Sequence, residues 1–196
     1  SENLFKGLAP WMQKLPGGLI HVNVVGCALF AAISGSSAAT VATVGKMSIP
    51  ELRKRNYPEK ILLGSLAGSG TLGLLIPPSI ILIIYGVAVQ ESIAKLFIAG
   101  IIPGIMIALI FMSYVIIWSL INKKDMPKII EEYSFLEKIK RSKQLLPVII
   151  LISAVIGSIY TGIATATEAA SLGVVGALIL SYFQKSLNLE TFKSSL

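Results

Sequence analysis

An all-α integral membrane protein is the fold class that this 196-residue sequence predicts, and three observations predict it. Hydrophobic residues make up 54% of the chain and charged residues 14%, with a mean hydropathy of +0.79. A soluble domain carries about 25% charged residues. Five runs, 15–45, 61–90, 96–122, 144–167 and 169–184, contain no Lys, Arg, Asp or Glu, and a spanning helix needs about 20 mainly apolar residues. Most of the 17 basic residues fall into two clusters between those runs. Lys46, Arg53, Lys54, Arg55 and Lys60 form the first; Lys123, Lys124, Lys128, Lys138, Lys140, Arg141 and Lys143 form the second. Short cytoplasmic loops have this character under the positive-inside rule.

That distribution excludes a soluble enzyme and, despite a net charge of +7, a nucleic-acid-binding module. A disulfide scaffold is excluded too, because Cys27 stands alone inside an apolar run, where a small packing residue is expected. The chain opens on Ser1 without a basic leader and cleavage site, so it is expected to begin inside a longer protein or after processing.

Residues 1–60 are read as a re-entrant hairpin followed by a basic cytoplasmic loop. Run 15–45 lies between Lys14 and Lys46, both on the basic side, whereas a simple span would separate them. Its middle, Ile33-Ser34-Gly35-Ser36-Ser37-Ala38-Ala39-Thr40, is a small polar break between apolar arms. Gly18 to Ile33 makes about 24 Å of helix, which passes the centre of a core about 30 Å thick without crossing it. Non-helical backbone at such a tip is tolerated only against protein or a water-filled cavity. The alternative is one long tilted helix with a small-residue packing face.

Residues 61–122 should leave and return to the cytoplasmic side, joined by a tight turn at Glu91–Lys95. The outgoing run holds Gly64, Gly68, Gly70 and Gly73, then Pro77 and Pro78. Each interior Gly costs up to about 1 kcal/mol against Ala and each Pro about 3, so this helix is expected to break near the membrane centre. A broken helix leaves carbonyls and half-helix ends that coordinate cations and attract anionic groups; an ordinary kink is the alternative. Residues 123–143, with Ile129, Ile130, Tyr133, Leu136 and Ile139 at near-helical spacing, read as an amphipathic helix along the cytoplasmic face or as a solvated loop helix. Residues 144–196 supply two further spans around a Thr165–Glu168 turn and a polar tail, with Trp118 and Tyr182 as interfacial anchors.

Catalytic readings fail on inventory. Gly68-Ser69-Gly70-Thr71-Leu72-Gly73 matches a dinucleotide fingerprint, but Pro77-Pro78 ends the helix that such a motif must open. A nucleophile at Ser36 or Ser37 has no base in reach, since His21 is the single histidine and lies some 20 Å away along the entry arm. His21 reads as a packing or interfacial residue. Zinc or iron would lack ligands, and Glu168, although flanked by apolar runs, suits the first turn of a helix as a cap.

Pro16-Gly17-Gly18-Leu19, Phe30 to Thr40, Gly70-Thr71-Leu72-Gly73, Ile76-Pro77-Pro78-Ser79, Leu96-Phe97-Ile98-Ala99-Gly100 and Pro103-Gly104 occur here in order. As an ordered set they closely resemble the large membrane subunit of tripartite ATP-independent periplasmic (TRAP) transporters. The resemblance implies an inverted-repeat, elevator-type transporter of the bacterial inner membrane that imports an organic acid with Na⁺ as coupling ion, without ATP or an organic cofactor. It also implies a small membrane subunit, fused or separate, and a periplasmic substrate-binding protein as partners. Two departures stand out. Ala166 replaces the proline of the family's Thr-Pro-Thr-Glu-Ala stretch, and the family's large subunit is about twice this long, with a second hairpin and a Thr-Pro-Pro motif. This chain therefore looks like the first half of the transport machinery.

The expected Na⁺ ligands are oxygens of Ser34, Gly35, Ser36, Ser37, Gly70, Thr71 and Gly73; Ser36, Ser37, Thr40, Pro78 and Ser79 are expected to border the substrate. No Arg occurs in any run, so a carboxylate must be balanced by Na⁺, by helix termini or by the absent half. C4-dicarboxylates and sialic acid both occur in the family, and the stretch from Gly70 to Tyr85 looks more like the sialic acid members. A structural or channel-like subunit without its own substrate site is the alternative, and it requires continuous helices through 34–37 and 70–78.

Overall fold

The computed structural model describes residues 2–127 and 133–183. It is 83% helical and has no strand among the described residues. By Cα packing the chain divides into two compact units, Ser1–Leu145 and Leu146–Leu196.

In the first unit, α1 (Glu2–Met12) is followed by a turn and a short 3-10 segment, then by α2 (His21–Ser34) and α3 (Ser37–Lys54). The α1–α2 turn depends on Gly17 at φ 101° and Gly18 at φ 54°, both in the left-handed region that glycine adopts freely. Then come α4 (Glu59–Gly70), α5 (Leu72–Leu75), α6 (Ile80–Val89), α7 (Ile93–Ile121) and α8 (Phe135–Ser142). The second unit is α9 (Leu146–Tyr160) and α10 (Ala166–Phe183). Three stretches, Glu59–Val89, Ile93–Ile121 and Phe135–Tyr160, are long and apolar enough to cross a membrane. Gly18–Ser34 and Thr167–Tyr182 are apolar but shorter.

The run 15–45 is not one helix. Gly35 takes a left-handed conformation (φ 58°) and caps α2, while Ser36 is extended and N-caps α3, its hydroxyl accepting the Ala39 N–H. The arms fold back on each other, with Gly26 facing Val44 and with Cys27, Val44 and Leu66 forming one buried cluster. Cys27 is thus the packing residue expected of it. The larger apolar core sits at the base of this hairpin. There Leu4, Phe5 and Leu8 of α1 meet Leu19, Ile20, Val22, Leu52, Leu62 and Val115.

The outgoing run is broken twice, once at Thr71 and again over Ile76–Ser79, where the Pro77–Pro78 peptide is cis. The following turn is tighter than the expected Glu91–Lys95. Gln90, at φ 55°, closes α6, the Glu91 N–H reaches the Gly86 carbonyl at 2.9 Å, and Ser92 already caps α7. On α7, Phe97, Gly100, Gly104, Val115 and Ser119 are buried, whereas Ile102 is 77% exposed within an apolar helix, as a lipid-facing residue is.

Residues 123–143 do not form one helix. Lys123–Asp125 is a single 3-10 turn and α8 covers only 135–142, started by a Ser134–Glu137 capping box. Ile129 and Ile130 lie outside the described residues. Trp11 of α1 meets Phe135 edge-on at 6.4 Å and donates to the Ser142 hydroxyl at 2.7 Å, so α8 is docked on α1. Trp118 packs against the basal core, and Tyr182 is exposed.

In the second unit, Gly173 faces Val155 and Gly176 faces Leu151, an antiparallel pair. Glu168 caps α10: its carboxylate accepts from the Thr165 N–H and hydroxyl, both at 2.8 Å. The polar tail lies outside the described residues.

Candidate functional site

Two chain breaks, about 40 residues apart in sequence, meet at one place. A Cβ on Gly73 would lie 2.8 Å from the carbonyl carbon and oxygen of Ser36 and from the nitrogen of Ser37. Backbone packs directly on backbone there, which glycine permits. Gly35 likewise faces the Pro78 carbonyl, 2.8 Å from where its Cβ would be, and its own carbonyl accepts the Ile80 N–H at 3.5 Å. Gly70 lies against Val41, with the Ser37 carbonyl at 3.9 Å from its Cβ position. The hairpin tip is therefore packed against the broken helix at both of its breaks. At the same place α2 and α5 end, presenting carbonyls, while α3 and α6 begin, presenting N–H groups.

The expected site residues separate into groups. Ser34, Ser36 and Thr40 form a closed network. The Ser34 and Thr40 hydroxyls are 2.9 Å apart, and the Thr40 hydroxyl donates to the Ser36 carbonyl at 2.7 Å. Thr40 is fully buried, so its main part is to brace the tip. The Ser37 hydroxyl is buried without a partner among the described residues. A buried hydroxyl is normally satisfied, so Ser37 differs in this from the other hydroxyls of the tip. Ser79 is also fully buried, but its hydroxyl donates to the Leu74 carbonyl at 2.6 Å and closes α5. Thr71 is exposed, and its hydroxyl turns back to the Gly68 carbonyl at 2.6 Å.

His21 sits at the other end of α2, fully buried, with Nε2 at 2.8 Å from the Pro16 carbonyl. That is the packing role expected of it. No group of three or more His, Cys, Asp or Glu side chains that would hold a metal exists among the described residues. The oxygen donors at the tip are neutral, a set that suits a hard monovalent cation rather than zinc or iron.

Sequence reasoning missed one polar element. Asn23 of α2 is fully buried and its amide donates to the Leu62 carbonyl at 3.1 Å and to the Ser65 hydroxyl at 3.0 Å. Ser69, one turn beyond Ser65, donates back to the Asn23 carbonyl at 3.4 Å. A lone amide inside a charge-free run, opposite two serines at i and i+4, was the available signal.

Paired helix breaks inside charge-free helices define a polytopic membrane protein with a polar site built from backbone. The family model of the tripartite ATP-independent periplasmic transporter, DctM component, matches residues 1–196, and the chain belongs to that family. It is 40% identical over 168 residues to a C4-dicarboxylate TRAP transporter large permease protein of Pseudomonas aeruginosa, covering 85% of this chain and 38% of that protein. It is 38% identical over 175 residues to an ectoine/5-hydroxyectoine TRAP transporter large permease protein of Ruegeria pomeroyi (87% and 39%). It is 35% identical over 197 residues to the sialic acid TRAP transporter permease protein of Haemophilus influenzae (100% and 31%). The chain thus spans well under half the length of these curated relatives, which are transporter permeases and not enzymes.

Proposed function

We propose that this chain forms one half of a secondary active importer, in which Na⁺ drives uptake of an organic acid across a bacterial inner membrane. The observation that supports this best is the clasp between the Ser34–Ser37 tip and the Gly70–Gly73 and Pro77–Ile80 breaks. Carbonyls at half-helix C-termini and hydroxyls such as Ser37 offer oxygen ligands to Na⁺, while the α3 and α6 N-termini favour an anion. A bound Na⁺ then offsets the cost of bringing a carboxylate to the membrane centre, so that the two ligands bind cooperatively. The combined lengths fit a re-entrant hairpin, since Gly18–Ser34 is too short to cross the bilayer core. Because hairpin and broken helix interlock, they would travel as one body in an elevator motion.

The substrate class is an organic acid, with sialic acid or a C4-dicarboxylate as first candidates. It would be delivered by a periplasmic substrate-binding protein to a permease that includes a small membrane subunit. The structural or channel-like alternative requires continuous helices through 34–37 and 70–78, which the breaks at Gly35, Thr71 and Ile76–Ser79 disfavour. The test is uptake of labelled acids by the reconstituted complete system. The Ser36→Ala/Ser37→Ala pair should abolish Na⁺-dependent uptake while leaving expression intact; undiminished uptake would remove the tip from the site.

A further inference from the structure

A concavity lies at the opposite end of the hairpin, far along α2 from the tip. It has a volume of about 450 Å³ and is lined by the α1–α2 turn, by Tyr57 and by the C-terminal end of α7. That volume falls within the range of small-molecule sites. Lys14 and Lys123 both line it, and none of its described lining residues is a carboxylate. Neither lysine makes a hydrogen bond or ion pair among the described residues. Gln13, a lining residue only 5% exposed, has a buried amide nitrogen without a partner among the described residues. The Tyr57 hydroxyl accepts the Leu19 N–H at 3.0 Å, and its own proton has no acceptor among the described residues. Two cations, Lys14 and Lys123, therefore line one space together with Gln13 and Tyr57, and no acidic side chain stands among its described lining residues to balance them.

The level of this space decides what fills it. It opens where the uncharged run 96–122 gives way to Lys123 and Lys124, the depth at which apolar core meets headgroups. Leu120 lines it, and Ile117 and Ile121 on the same end of α7 are exposed, giving acyl chains an apolar track to lie along. We infer that the cavity framed by Gln13, Lys14, Tyr57 and Lys123 binds the phosphate headgroup of an anionic phospholipid on the cytoplasmic leaflet. Basic pockets between membrane helices on that side have this use. The site is independent of the transported substrate and of the coupling ion.

The test is the melting temperature of the delipidated, detergent-purified complete permease, titrated with phosphatidylglycerol, phosphatidylcholine or inorganic phosphate. Phosphatidylglycerol should raise it saturably and phosphatidylcholine should not. Lys14→Gln/Lys123→Gln should weaken the apparent affinity roughly 30-fold, the effect expected for losing two lysines near a lipid phosphate. Lys14→Arg/Lys123→Arg should retain it, and Gln13→Leu should weaken it without altering charge. The inference is overturned if phosphatidylcholine acts equally or if the double Gln variant titrates like the parent. An equal response to millimolar inorganic phosphate would overturn the lipid as the source of the phosphate.

Discussion

Gly73 is the residue on which the two breaks register. Alanine there would press its Cβ against three backbone atoms of Ser36 and Ser37, none of which can rotate away. Gly73→Ala should therefore cost about 1–3 kcal/mol, as overpacking does, and should reduce Na⁺-dependent uptake. Gly64, by contrast, has nothing within 4 Å of its Cβ position and lies within α4. Gly64→Ala should leave uptake intact and raise the melting temperature, by up to about 1 kcal/mol of helix propensity. Both glycines stand in the same charge-free run, and their helix propensity alone does not distinguish them. Only the neighbour each one meets gives them opposite signs.

At the scale of elements, the hairpin is tied down near the base of its first arm. Asn23 bonds α2 to α4, and replacing it with Leu should cost roughly 1–2 kcal/mol for two buried hydrogen bonds, read as a lower melting temperature. At the base, the Tyr57 hydroxyl holds the Leu19 N–H, and Arg53 and Glu59 bracket the α3–α4 turn with a two-point ion pair at 2.6 and 3.3 Å. Burial pushes the Tyr57 hydroxyl above its ordinary value of 10.0, against the smaller opposing effects of the Leu19 N–H and the Arg55 charge. The folded state thus favours the protonated phenol. Its contribution to stability is complete below about pH 10 and is lost as pH rises through the folded value. Melting temperature against pH should fall more steeply on the alkaline side for the parent than for Tyr57→Phe. The variant should also be less stable at neutral pH, because the Leu19 N–H loses its acceptor. These ties were only partly legible. Asn23, Ser65 and Ser69 are ordinary polar residues in sequence, and α1 escaped notice although Leu4, Phe5 and Leu8 carry helical spacing. No charge-free run marked it.

For the whole molecule, ligand linkage supplies the decisive measurement. If the tip and the broken helix share a Na⁺ site, the melting temperature of the complete permease should rise with Na⁺ and not with K⁺, by RT ln(1 + [Na⁺]/Kd). An identical response to both ions would leave the clasp a packing device.

The class of protein, the charge-free runs, the two helix breaks and the family were determined by the sequence alone. Charge, glycine and proline act locally, through desolvation cost and backbone sterics, and therefore leave a readable trace in any window of residues. The tertiary structure decided which hydroxyls at the tip are spent on bracing and which one has no partner among the described residues. It also decided that α8 docks on α1 instead of running on from residue 123, and that Lys14 and Lys123 line one cavity. The docking and the cavity depend on contacts between residues far apart in the chain, and the bracing of the tip depends on which hydroxyl meets which oxygen. Packing complementarity and the saturation of hydrogen bonds settle such contacts, and neither is a property of any single segment.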